Sequence, residues 1–572
     1  MTYDLLIKDG LVVDGSGMAA IRADVGIKGG KIVARGKLGN RANRVIDAQG
    51  RVVCPGFIDI HTHYDPHWWW NPLGTSSSWQ GVTTVVQGNC GLTLAPCRPE
   101  HRSVIAGIFS TVEEISMATL DAVVPWKWQS FREYLDQLDG HLGINVATLL
   151  GHSAIRVYTM GEASLERAAR PEEISHMQKL LRDAMEAGAV GWSTSKAPAH
   201  VGPKGAPIPS RQAADEELFA LADTLGEYHC GAIGIVPQSV FFGINQEDRK
   251  LLQELAVRSG RPVNWLGHEW KWFAPELWRD EQRWMAESAR QGAQVFGNIT
   301  MQPFESEVNF KRSRLFQGFN HWRDIMKLPL EERKAKLADQ SLRPTLREAM
   351  DSPDYSGTRG SARPPTRWVG VTVLRTKVPK NRWMEGKSVV ELAKQRGVHV
   401  ADVMCDLAAE EDLDTVFHQR FVLDVDTAIM GDLIQDQHVV FGSSDSGAHI
   451  ASMVQSGEPT YCLRQWVLDH PKLTLEDAIR RLTFVPASLF GFYDRGLVRE
   501  GMQADINVLS LQDLQPGLKE LVHDLPSGET RWIQKAKGID YTIVNGEVLM
   551  ERGSPNEARP GKVLRGAAYR PN

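Results

Sequence analysis

No apolar run in this sequence is long enough to span a bilayer, so insertion into a membrane is not expected. Long blocks of like charge are missing as well. A formal net charge of −5, spread over 572 residues, advertises no surface for nucleic acid. The opening Met-Thr-Tyr-Asp-Leu-Leu has neither a basic leader nor an apolar core, so no export signal is read there. Six cysteines include no Cys-x-x-Cys pair and no disulfide-scaffold spacing, which points to a reducing compartment, the cytoplasm. What remains, 42% hydrophobic and 24% charged residues, is the composition of a soluble globular protein with ample core. Tryptophan alone is plentiful. Its 17 copies, several of them clustered, mark either a binding wall or loop packing.

The pattern along the chain is β, then α/β, then β. Short strands with Gly-rich turns fill residues 3–54: Asp4 to Lys8 and Leu11 to Asp14 read as a hairpin across Asp9-Gly10. Asp24 to Lys28 and Lys31 to Ala34 read as another across Gly29-Gly30. Near the other end, Ala504 to Leu509 alternates, and Asn545-Gly546 is a strong hairpin turn. One small β-sandwich domain, built from 1–54 plus 487–572, is expected from the two ends. Between them strands and helices alternate, with strand ends near 61, 90, 152, 194, 236, 268, 298 and 445. That is the rhythm of an α/β (β/α)8 TIM barrel over 55–486, whose chemistry sits at the strand C-termini. A charged, Arg- and Pro-rich stretch at about 305–385 reads as an insertion over the site.

Candidate chemistry gathers at those strand ends. Pro55-Gly-Phe-Ile-Asp-Ile-His61-Thr-His63 puts two imidazoles on one side of an extended segment, as two ligands of one ion require. Cys90, His268 and Asp445 close other strands, and each is a metal-type donor. Singly, each has a commoner structural use: a buried thiol, a core histidine, a turn carboxylate. Five such donors at four strand ends favour a metal site.

The segments Pro55 to His63, Gly81-Val-Thr-Thr-Val-Val-Gln-Gly-Asn-Cys-Gly91, Leu150-Gly-His-Ser-Ala-Ile-Arg156 and Phe441-Gly-Ser-Ser-Asp445 resemble the amidohydrolase superfamily. They are most similar to its D-aminoacylase branch, as is the tail Leu482 to Gly491 with Arg495-Gly, Gly501 and Ala504-Asp505. The resemblance implies zinc or another divalent metal, one or two ions per chain, held by His61, His63, Cys90 and His268, with Asp445 as both ligand and catalytic acid–base. It implies hydrolysis of an amide of an N-acyl-amino-acid-like small molecule by metal-activated water. His152 is expected either to stabilise the oxyanion or to support structure. Oligomeric state stays open, and a small-molecule substrate is the expected partner.

Two departures stand out. The family places a histidine ligand at the end of the fifth strand, where this chain reads Gly231-Ala-Ile-Gly-Ile-Val236-Pro-Gln238; Lys196, Gln238 and His229 are replacement candidates. A family lysine two residues past the later histidine gives way to Trp270, with Lys271 beside it. Trp70, Trp270, Lys271 and Arg156 are therefore expected at the substrate, with Arg375 and Arg382 as further carboxylate partners. These departures keep two alternatives open. One is a single-metal relative acting on a cyclic amide, lactone or C–C bond of a bulkier aromatic substrate; the other is a non-catalytic binding protein with a decayed site.

Overall fold

The computed structural model describes residues 2–311, 313–353, 355, 363–420 and 427–571. The two chain ends share one nine-stranded sheet. Its seam is Ile506–Leu509 running antiparallel to Val52–Pro55, with Asn507 opposite Cys54. Outward from the seam lie Ile539–Val544 and Glu547–Glu551 on one side, Tyr3–Val12 and Ile21–Lys28 on the other. Asn545 and Gly546, at φ 48° and 85°, make the expected two-residue turn. The hairpin expected at Asp9-Gly10 is not formed. Tyr3–Val12 is one strand with a bulge, and the Asp9 N–H there donates to the buried Asp24 carboxylate at 2.9 Å. The turn residues bend a strand because a partner within the sheet takes their backbone donor.

The middle of the chain is mixed α/β. Phe57–Asp59, Val82–Gln87, Asn145–Thr148 with its continuation Leu150–Gly151, Gly191–Ser195, Ala232–Val236, Val263–Leu266, Val295–Asn298 and Val439–Val440 follow one another, each parallel to the next. Beyond the last strand, Ile60 N–H donates to Gly442 O at 2.7 Å and Asp445 N–H to His61 O at 3.0 Å, so the end of the series meets its start. Helices separate the strands where sequence signals place them. Pro171–Ala187 begins on a proline and stops at Gly188, which takes the left-handed conformation that glycine adopts cheaply. Gln246–Ser259 starts where the Asn245 side chain accepts from Asp248 N–H at 2.8 Å.

Residues 308–417 enclose a hydrophobic cluster of their own, centred on Phe310, Phe316, Trp322 and Phe417. Phe316 and Trp322 stack at 4.6 Å. A three-stranded antiparallel sheet, Glu305–Val308, Val416–Arg420 and Val371–Arg375, forms part of this unit. Residues 312, 354 and 356–362 of the expected insertion lie outside the described residues. Among the described residues, no helix is long and apolar enough to cross a membrane.

Candidate metal centre and active-site cavity

Four side chains converge where the first, second and last strands of the parallel series end. The Cys90 sulfur lies 3.4 Å from His61 Nε2 and 3.7 Å from His63 Nε2. Asp445 Oδ1 lies 3.2 Å from His63 Nε2 and 3.8 Å from His61 Nε2. Tetrahedral zinc with ordinary bond lengths would set neighbouring donors about 3.3–3.6 Å apart, so the residues present fit such an ion. Against the effect of burial, the charges of Glu113 and Cys90 raise His63 well above the usual imidazole range, and a bound cation would take the place of that proton. Burial lowers His61 to about 4, leaving the neutral imidazole that can bind metal. Burial pushes the Cys90 thiol up to about 11, a penalty that a cation would reverse. Asp445 is held well below the usual carboxylate range, against the effect of burial, by the His63 hydrogen bond and the surrounding imidazoles.

The backbone carries strain to bring these groups together. Cys90 and Asp445 both adopt positive φ, 55° and 57°, which non-glycine residues rarely occupy. Gly88, before Cys90, has φ 79°, and a Cβ there would sit 2.1 Å from Leu149 O. The Gly-Asn-Cys-Gly turn therefore has to begin with glycine for the thiol to reach the imidazoles.

The remaining expected site residues are distributed otherwise. His268 is fully buried and stands apart from the donor group. Its Nδ1 lies 2.8 Å from Glu281 on the helix Leu277–Arg290, and its ring meets Trp265 edge-on. The preceding Gly267, at φ 104°, breaks the extended path, so Leu266 rather than His268 lines the cavity. Both nitrogens of His152 are engaged, Nδ1 with Thr194 Oγ1 at 2.9 Å and Nε2 with Glu217 at 2.7 Å. Arg156 pairs with the same Glu217 and donates to Arg167 O at 2.7 Å, so both residues serve a buried network under the helix His152–Met160. Lys196 donates to Ala213 O at 2.7 Å, while Gln238 is exposed. The carbonyl of His229 is held by Arg261. Trp70 packs on His67 at 4.3 Å, and Arg375 and Arg382 are exposed. Trp270 and Lys271 do line the cavity.

That cavity, about 220 Å3, opens directly on Asp445. One wall is aromatic, formed by Phe241, Trp270, Trp272, Phe273 and Phe304. Four arginines also line the cavity, Arg314, Arg363, Arg367 and Arg420, contributed by the 308–417 unit and its edges. Arg363 lies over the Phe241 ring at 4.8 Å, and burial lowers its guanidinium to about 9.

Sequence reading missed three residues around this centre. Glu113 is completely buried, with Oε1 3.3 Å from His63 Nδ1. Burial raises it to about 7 although His63 opposes the shift. His449 Nε2 lies 3.9 Å from Asp445 Oδ2, and its other nitrogen meets Arg314 at 3.1 Å. His200 lines the cavity on the loop after Gly191–Ser195. The only available signals were an acidic pair, Glu113-Glu114, at a helix end and histidines within polar loops; solvated surface residues look the same.

This fold and this donor set define a hydrolase with a metal-type centre at the strand ends of a parallel α/β unit. Sequence comparison fixes the family. The amidohydrolase family model matches residues 44–342 and 392–550, and the chain belongs to that family, hydrolases of carbon–nitrogen bonds. It is 29% identical to an uncharacterised protein of Mycobacterium tuberculosis over 95% of this chain and 92% of that protein. It is 28% identical to N-acyl-D-glutamate deacylase of Alcaligenes xylosoxydans xylosoxydans, over 98% of this chain and 96% of the relative. Among solved structures, D-aminoacylase superposes with a TM-score of 0.67 at 23% identity, covering 98% of this chain and 100% of that one. N-acyl-D-glutamate deacylase of Bordetella bronchiseptica, solved with zinc and a phosphonate inhibitor, gives 0.66 at 24% identity, covering 99% and 100%. These two likenesses show a shared fold.

Proposed function

We propose that this chain is a metal-dependent deacylase of N-acyl amino acids, built as a (β/α)8 barrel over 55–486 with a β-sandwich from 1–54 and 487–572. The observation that carries the reading is the convergence of His61, His63, Cys90 and Asp445, the last of which lines the cavity. The N-acyl-D-amino-acid deacylases among the relatives support it. All six cysteines are free thiols, which supports a cytoplasmic protein.

His61, His63 and Cys90 would hold the ion, with Asp445 facing it. A bound divalent ion lowers the pKa of a coordinated water and polarises the scissile carbonyl. Asp445, ionised at neutral pH, takes the proton of the attacking water and passes it to the leaving nitrogen. Arg363 is placed to meet a substrate carboxylate, and the aromatic wall to take an apolar acyl or side-chain group. Val236 and Leu266 bring no donor to the fifth and sixth strand ends, so the centre holds one ion.

The test is amine release from matched N-acyl-D- and N-acyl-L-amino acids by zinc-reconstituted protein, with Asp445→Asn as control. Release that disappears in the control supports the deacylase. No release from either series, with metal bound, turns the assignment to a cyclic amide or lactone of an aromatic compound, the reading that the apolar Val236 and Leu266 also favour.

A further inference from the structure

We propose that His200 is a catalytic residue: its Nε2–H donates a hydrogen bond to the carbonyl oxygen of the substrate as negative charge develops there. The inference rests on the amide-hydrolase reading above and assigns the role that His152, tied to Thr194 and Glu217, cannot fill.

Four bonds pin His200. Its N–H donates to Ala197 O at 3.0 Å, and its carbonyl accepts from Ile208 N–H at 3.4 Å and Arg211 Nη1 at 3.1 Å. Its Nδ1 lies 2.8 Å from the Ser195 hydroxyl at the end of the strand Gly191–Ser195. The backbone of His200 is thus held at both its N–H and its carbonyl, and the imidazole is oriented by a fully buried side chain. A donor fixed before reaction needs no reorganisation at the transition state, which is the condition for strong oxyanion stabilisation.

The Ser195 bonds also set the tautomer. Ser195 Oγ accepts from Ala197 N–H at 3.2 Å. Its own hydrogen has no acceptor other than His200 Nδ1 among the bonds of the described residues. The serine therefore donates to Nδ1, the proton of the neutral ring sits on Nε2, and Nε2–H is the edge left for the cavity. Burial keeps the ring neutral, lowering it to about 3; nearby His63, His449 and Arg363 act in the same direction and Asp445 opposes. A neutral imidazole donates without delivering its proton, so Asp445 remains the only group that moves one. His200 and Asp445 line the same cavity, as a donor and a base that act on one bound substrate must.

The test uses zinc-loaded enzyme and an N-acyl amino acid that the wild type cleaves. His200→Ala should lower kcat by about 10²–10³-fold, with KM changed by less than about threefold and one zinc per chain retained. His200→Gln, whose amide N–H reaches the Nε2 position, should recover at least about tenfold of that loss. His200→Asn, whose amide reaches only the Nδ1 position, should not. Ser195→Ala should fall between wild type and His200→Ala, because the tautomer is no longer fixed. Loss of zinc in parallel with activity would overturn the proposal by making His200 a ligand. A raised KM at unchanged kcat would make it a ground-state contact and overturn it equally, as would equal activity in the Gln and Asn variants. If wild-type enzyme cleaves no N-acyl amino acid, the amide-hydrolase reading falls and takes this inference with it; cleavage by wild type separates the two.

Discussion

Glu113 Oε1 lies 3.3 Å from Nδ1 of His63, and both side chains are almost wholly buried. A carboxylate this close behind a ligating imidazole strengthens it as a donor through its charge. Glu113→Gln is therefore expected to weaken zinc binding about 10–100-fold. Competition with a chromophoric chelator measures this, and unchanged affinity would leave Glu113 with a packing role only.

Metal analysis of the purified protein should give one zinc per chain, even after incubation with excess zinc and desalting. Val236 and Leu266 bring no donor to the ends of their strands, and His268 stands outside the donor group of His61, His63 and Cys90. Two tightly held ions per chain would mean that other side chains supply the second position.

Gly88→Ala should disable the centre from a distance. The new methyl group would meet Leu149 O at 2.1 Å on a backbone at φ 79°. We expect a stability loss of about 2 kcal/mol or more together with loss of zinc, read by thermal denaturation and metal content. A variant with wild-type melting and full zinc would show that this turn tolerates a side chain.

The buried Glu217 should make stability pH-dependent. Although burial opposes it, hydrogen bonding and charge from His152 and Arg156 lower this carboxyl from 4.5 to about 2. A folded-state pKa below the unfolded value means the stabilisation is fully present above about pH 4.5. It is lost as pH falls toward 2. Glu217→Gln should cost about 3 kcal/mol at pH 7, and the gap from wild type should narrow between pH 5 and pH 3 in urea titrations. A gap that stays constant would show that charge at Glu217 is not the source.

The helices Pro171–Ala187, Gln246–Ser259 and Leu475–Leu482 are legible in the sequence. Their caps and apolar spacing are local signals. The expectation that His61, His63, Cys90 and Asp445 lie near strand ends is legible too, and the structure brings these four side chains together. The sequence is less legible where a residue's direction depends on what comes next. Asp9-Gly10 has the chemistry of a turn, yet Asp24 accepts the Asp9 N–H and keeps the strand continuous. His152 follows a strand as His268 does, but it opens a helix and faces Glu217.

The sequence by itself determined the alternation of strands and helices, the return of the chain end to the first sheet, and a histidine pair two residues apart. These follow from periodicity and turn chemistry within a few residues. Only the tertiary structure decided which polar residues face the reaction space. A single left-handed glycine at 267 sends His268 outward and leaves Leu266 facing the cavity. Glu113 reaches the centre from a helix end, through a contact with a residue 50 positions away in the chain, and His200 reaches the cavity from a loop. Spacing along a chain encodes which neighbours share a face, but not which distant elements pack against that face.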